Sequence, residues 1–177
     1  AADPACPGGT ARSFAGFFFH RFFVPFMSTS SSLTLGVVGL GSMGMGAALS
    51  ALRQGVPTWG CDPRAEARAA FEQAGGRATA SVADLAAQCD VVLVLVVNAA
   101  QTEDVLFGAQ GVASSLKRGG VVVCSATVDP ALPPVWEQRL LATGHWLIDG
   151  PVSGGAKKAA AGQMTVMASG QPEAFAA

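Results

Sequence analysis

The sequence is short of charge, of histidine and of long apolar runs. Lys, Arg, Asp and Glu make up 13% of its 177 residues, and the formal net charge is −1. A chain so close to neutral, with no cluster of Lys or Arg, lacks the electrostatic footprint of a nucleic-acid binder. Only two histidines occur, His20 and His145, which argues against a His-based metal site or a His relay in this chain. The four cysteines, Cys6, Cys61, Cys89 and Cys124, lie far apart. They have neither CxxC spacing for zinc nor the density of a disulfide framework, and reduced thiols in cytosolic surroundings fit them. No segment is long and clean enough to span a membrane. There are no tandem repeats, and the one low-complexity tract is Ser28–Ser32.

The first 26 residues, AADPACPGGTARSFAGFFFHRFFVPF, match nothing that follows, whereas Met27 opens MSTSSSLTLGVVGLG, a short polar lead into a strand. A secretory signal is disfavoured because His20 and Arg21 interrupt the apolar run between Phe17 and Phe26. A transit segment, with Arg12 and Arg21 against the single acid Asp3, and upstream DNA translated in frame, or a disordered extension, both stay open. Localisation is expected to be cytoplasmic, or organellar if this segment is a genuine transit peptide.

From Leu33 the chain alternates apolar runs with helical stretches. Strands are expected over 33–39, 56–62, 90–98, 121–127 and 145–149. Helices are expected over 43–54, 64–73, 81–89, 102–107, 111–116 and 133–142. Gly55 and Gly75-Gly76 close the first two helices, and Ser81 with Asp84 three residues on forms a variant capping box for the third. The seven successive apolar residues of DVVLVLVVN predict a strand buried on both faces, as in a parallel sheet. This order over short connections predicts an α/β fold with a doubly wound, mostly parallel sheet.

Four glycines, Gly39, Gly41, Gly44 and Gly46, fall within eight residues. Gly39-Leu40-Gly41-Ser42-Met43-Gly44 fits G-x-G-x-x-G between a strand and a helix. In that pattern the first glycine permits the tight turn, the second lets backbone approach a pyrophosphate, and the third lets helix pack on strand. The anion then rests on free N–H groups at the helix N-terminus. Gly46 reads as a close-packing position. A second strand ends in Asp62, 18 residues after Gly44, where an acid can accept hydrogen bonds from the adenosine ribose. Asp62 would also repel a 2′-phosphate, so NAD is expected rather than NADP. Arg64 blurs that preference, since an arginine just past the acid could meet a 2′-phosphate; flanking the adenine or simple solvation are its other readings. Cys61, Cys89 and Cys124 read as small buried residues. The chain thus divides into an extension over 1–32, disordered or non-native, and a dinucleotide-binding Rossmann domain over 33–177.

Residues 149–170 read DGPVSGGAKKAAAGQMTVMASG. Asp149-Gly150-Pro151 ends a strand, and Ser153-Gly154-Gly155 offers a hydroxyl and backbone N–H groups that could hold a carboxylate. A plain glycine-rich turn would look the same. GLGSMG followed by DGPVSGG and G-x-M-T-V-M-A-S-G resembles the β-hydroxyacid dehydrogenase family over about residues 33–170. That family includes 3-hydroxyisobutyrate dehydrogenase, tartronate semialdehyde reductase and L-threonate dehydrogenase, and is related to 6-phosphogluconate dehydrogenase. AKKAA and MTVMASG look most similar to the L-threonate branch.

The resemblance implies that residues Gly39 to Gly44 wrap the pyrophosphate and Asp62 holds the ribose. It places Val97, Asn98 and Thr127 beside the nicotinamide, with Val97 replacing the family's proline. It places Ser153, Gly154 and Gly155 on the substrate carboxylate and hydroxyl. Lys158 or Lys157 would suit a more hydroxylated acid if it reaches the pocket, and two solvated lysines is the alternative. The implied reaction is oxidation of a small hydroxyacid by hydride transfer to NAD. The family's acid/base lysine, in G-x-x-K-x-x-x-N, and its helical, dimer-building C-terminal domain are expected beyond Ala177. Homo-oligomers are therefore expected only of a full-length enzyme, and the chain alone is expected to bind NAD weakly without turnover. A non-catalytic NAD(P)-binding regulatory or interaction module is the alternative. An imine reductase would share the cofactor loop, but DGPVSGG points to an acid.

Overall fold

The computed structural model describes residues 33–177. The expectations for residues 1–32, and for Cys6 and His20, lie outside the described residues. Strands β1 (Leu35–Val38), β2 (Thr58–Cys61), β3 (Arg77–Thr79), β4 (Val91–Val94), β5 (Val121–Cys124) and β6 (Trp146–Asp149) form one parallel sheet in the order β3-β2-β1-β4-β5-β6. Strand β9 (Ser169–Gly170) closes its far edge antiparallel to β6. Strand order reverses between β1 and β4, which opens a crevice at their carboxyl ends where such sheets bind ligands.

Helices cover both faces. On one, α1 (Ser42–Arg53) and α2 (Ala65–Gln73) pack around Val37, Leu40, Ala48, Ala67 and Phe71. On the other, α3 (Val82–Ala86), α4 (Ala99–Phe107), α5 (Val112–Ser115) and α6 (Leu132–Ala142) enclose a core that includes Leu85, Val92, Leu106, Val122, Trp136 and Leu140. The doubly wound, mostly parallel sheet is the one the apolar alternation predicts. No helix among the described residues is long and apolar enough to cross a membrane.

Several details differ from expectation. Residues 90–98 form a strand only over Val91–Val94: the Leu95 N–H makes one further bond to the Val38 carbonyl oxygen, and the chain then bends at Val97, which is 82% exposed. Within β4 only Val92 and Val94 are fully buried, so burial alternates instead of covering both faces. The edge strand β3 was not expected, since three residues with an exposed arginine carry no apolar run. Nor was the antiparallel pair β7 (Val152–Ser153) and β8 (Thr165–Val166), whose four residues are too few to show a period. At α3 half of the capping box forms: the Asp84 N–H donates to Ser81 Oγ at 3.1 Å, while the Ser81 N–H donates to Thr79 Oγ1.

A short helix, α7 (Gly155–Ala160), lies along α1. Gly46 of α1 faces Ala159 and Ala160, and Ser50 faces Gly162. The turn at Ser153-Gly154-Gly155 leads into α7.

Candidate dinucleotide-binding site

The glycine loop joins β1 to α1, and each glycine meets a different demand. Gly39 adopts φ +95°, and a Cβ there would come within 2.4 Å of the Leu95 carbonyl oxygen. A Cβ on Gly44 would lie 1.7 Å from the Gly39 carbonyl oxygen, so only glycine lets α1 start this close to β1. Gly41 is the opposite case: a Cβ there meets nothing within 4 Å. Its face is open, it is the N-cap of α1, and no side chain caps the helix. The N–H groups that begin α1 have no intrahelical partner and carry the positive end of a twelve-residue helix. An open backbone face with unmet donors fits a phosphate group.

Leu40 departs from its expected role. Its side chain is buried, and its N–H donates to Asp62 Oδ2 at 2.8 Å, so that N–H is not free for a pyrophosphate. Ser42 is exposed and Met43 half-buried in the first turn of α1.

Asp62, one residue past β2, is 4% exposed. Besides Leu40, its carboxylate accepts from the Arg64 N–H at 3.0 Å, Arg64 Nε at 2.9 Å and Arg64 Nη2 at 3.0 Å. The Arg64 guanidinium, with these N–H groups, holds the carboxyl below the usual carboxylate range. The acid therefore does not stand free for a ribose, as the spacing alone suggested. Burial and the neighbouring Asp62 charge push the Cys61 thiol up to about 11, and burial pushes Cys89 and Cys124 up to about 12. All three are buried and thiol at neutral pH, which makes them packing residues without nucleophilic reactivity.

A cleft of about 560 Å³ runs past this corner, lined in part by Gly39, Gly41, Asp62, Arg64, Val97 and Gln101. It brings together glycine-loop residues, the β2 acid and the residues after β4. Asn98 caps α4, its Oδ1 accepting from the Gln101 N–H at 2.9 Å. Gln101 Oε1 in turn accepts from the Val97 N–H, also at 2.9 Å. The sequence reading passed over Gln101, although its place four residues after Val97 at a helix start was the available signal. Asn98 and Thr127 are exposed and do not line this cleft.

Ser153, Gly154, Gly155 and Lys158 lie apart from the cleft lining and are all exposed. Gly154 and Gly155 take φ of 122° and 68°, conformations that side chains resist. The Lys158 stem folds over Gly154, so close that a Cβ there would meet its Cδ at 2.8 Å. Lys158 thus borders the turn, and Lys157 is exposed on the same helix.

Residues 34–177 match the family described as the NAD binding domain of 6-phosphogluconate dehydrogenase. The chain is 51% identical over 144 residues to the L-threonate dehydrogenase of Cupriavidus necator, covering 81% of this chain and 48% of that protein. It is 31% identical over 150 residues to human mitochondrial 3-hydroxyisobutyrate dehydrogenase, covering 85% and 45%. A crystal structure described as 3-hydroxyisobutyrate dehydrogenase from Salmonella typhimurium superimposes with a TM-score of 0.78 at 48% identity, covering 81% of this chain and 50% of that one. The chain spans about half the length of the curated relatives it matches.

Proposed function

The chain belongs to the family of the NAD binding domain of 6-phosphogluconate dehydrogenase, and from that premise we propose that it is the cofactor-holding part of an NAD-dependent oxidoreductase of small β-hydroxyacids. The observation that carries this reading is the open face of Gly41 at an uncapped helix N-terminus, beside a cleft that also reaches Asp62. The names of the relatives, L-threonate dehydrogenase and 3-hydroxyisobutyrate dehydrogenase, support the substrate class.

When bound, a nicotinamide dinucleotide supplies the hydride acceptor. The backbone at Gly41, Ser42, Met43 and Gly44 would hold the pyrophosphate, with Gly39 setting the turn. Asp62 would orient the adenosine ribose. Val97, Asn98 and Thr127, at the carboxyl ends of β4 and β5, would flank the nicotinamide end. Ser153 Oγ and the N–H groups of Gly154 and Gly155 would hold the substrate carboxylate and hydroxyl, with the Lys158 ammonium adding charge at the rim. Oxidation also requires a group within hydrogen-bond reach to take the hydroxyl proton. We assign that group to the length of the relatives that this chain does not span.

Calorimetric titration with NAD+ and an assay for reduced nicotinamide with L-threonate or 3-hydroxyisobutyrate test the reading. Saturable NAD+ binding without turnover is expected. Failure to bind NAD+ would overturn the cofactor assignment. Hydroxyacid oxidation by the chain alone would instead overturn the placement of the proton-transfer group.

A further inference from the structure

Arg64 forms a lid on the one acid that the sequence marks for the ribose. Four protein donors fill the carboxylate of Asp62: the Leu40 N–H, the Arg64 N–H, Nε and Nη2. An ionised carboxylate has about four lone-pair sites, so a ribose hydroxyl can reach Asp62 only by displacing the guanidinium. Arg64 is not lost to the core by this pairing. Its side chain is 53% exposed at the cleft, and Nη2 also donates to the Leu40 carbonyl oxygen at 3.2 Å. Nη1 has no hydrogen-bond partner among the described residues. Its two N–H groups complete a planar fork of the kind that matches a phosphate.

The neighbouring charges are of both signs, with Asp104 also lining the cleft. Arg68 anchors its Nη1 on the carbonyl oxygens of Asp62 and Pro63, at 2.8 and 2.9 Å, bringing a second guanidinium to the corner. Glu66, exposed in the first turn of α2, is the one further acid acting on Arg64. A bare aspartate in this position would repel a 2′-phosphate. A buried aspartate already bonded to a guanidinium, with that guanidinium's outer edge unmet, presents donors to it instead.

We propose that Arg64 makes the adenosine end of the cleft a two-way pocket. It binds a 2′-phosphorylated dinucleotide through the open Nη1 edge while keeping Asp62, and an unphosphorylated one by releasing Asp62 to the ribose. The proposal rests on the cofactor reading above and adds a second ligand to the NAD expected there.

The test is titration of the chain with NAD+, NADP+, 5′-AMP and adenosine 2′,5′-bisphosphate, followed calorimetrically. NAD+ and NADP+ should bind within about tenfold of each other, and the bisphosphate should bind more tightly than 5′-AMP. Arg64→Ala should weaken NADP+ by about tenfold or more, the scale of a lost charge-assisted hydrogen bond, and should tighten NAD+. Arg64→Lys, which keeps the charge without the fork, should fall between, and circular dichroism reports whether each variant is folded. A preference for NAD+ beyond about a hundredfold in the unaltered chain, or an equal shift of both dinucleotides in Arg64→Ala, overturns the proposal and leaves the cofactor reading intact. If none of the four ligands binds, the cofactor reading falls and the two-way pocket with it.

Discussion

The corner built from β1, α1 and β2 and the strip from β6 to α7 carry the two glycine motifs, and they are built in opposite ways. At the corner, backbone packs against backbone, and Asp62 is buried with every acceptor site met. Along the strip, Ser153, Gly154, Gly155 and Lys158 are exposed on a two-residue strand and a six-residue helix. Asp149 at its start has its carboxyl pushed up by burial alone. The contrast teaches that a site can be finished by local packing or left to be completed by whatever faces it. A buried, paired charge orders its neighbours, whereas this exposed turn is held by the two-residue β7–β8 pair and by α7 against α1.

The largest expected effect breaks the corner. In Gly44→Ala the new Cβ meets a backbone carbonyl, which no rotamer change relieves. We expect about 3 kcal/mol of lost stability in urea unfolding, together with loss of NAD+ binding. A neutral result would show that the α1 N-terminus is not wedged against β1.

Gly46→Ala tests the strip by lifting α7 from α1, since its Cβ would stand 2.7 Å from the Ala160 nitrogen. A short peripheral helix can shift, so about 1–2 kcal/mol is expected. The amide resonances of Gly154 and Gly155 should move more than those of Gly39 and Gly41. Equal movement at both motifs would show that the two regions are one unit.

The smallest effects, of opposite sign, come from pH. The carboxyl of Asp62 is held below its ordinary value, so its contribution is present above the unfolded pKa and lost as pH falls through the folded one. Asp62→Asn should flatten the acid limb of the stability curve below about pH 4. The carboxyl of Asp149 is raised, so its stabilising contribution is present in acid and lost as pH rises through the folded value. Asp149→Asn should therefore stabilise the chain at neutral pH and give no gain in acid. Parallel pH profiles for the two variants would remove the electrostatic half of the comparison.

The corner was legible because its requirements are steric and local. Only glycine satisfies positions 39 and 44, and an acid at the end of the next strand falls at a readable spacing. What the sequence hid were pairings between distant residues. Nothing in GLG or CDPR shows that the Leu40 N–H, 22 residues from Asp62, takes one of its oxygens. The end of β4 was misread for a related reason. Hydrophobicity continues through Val97, but the chain bends there, so that Val97 meets Gln101 and Asn98 caps α4. An apolar run records burial preference, not where the ladder stops.

By itself, the sequence determined the strand–helix alternation, the glycine turn and the presence of an acid after β2. These follow from side-chain period and from the backbone freedom that glycine alone has. Tertiary structure decided that Gly46 seats α7, that Val97 lies in the open, and that Asp62 is in the grip of Arg64 before any ligand arrives. Those outcomes depend on which groups meet across the fold, and hydrogen bonds and ion pairs are settled only when the distances are.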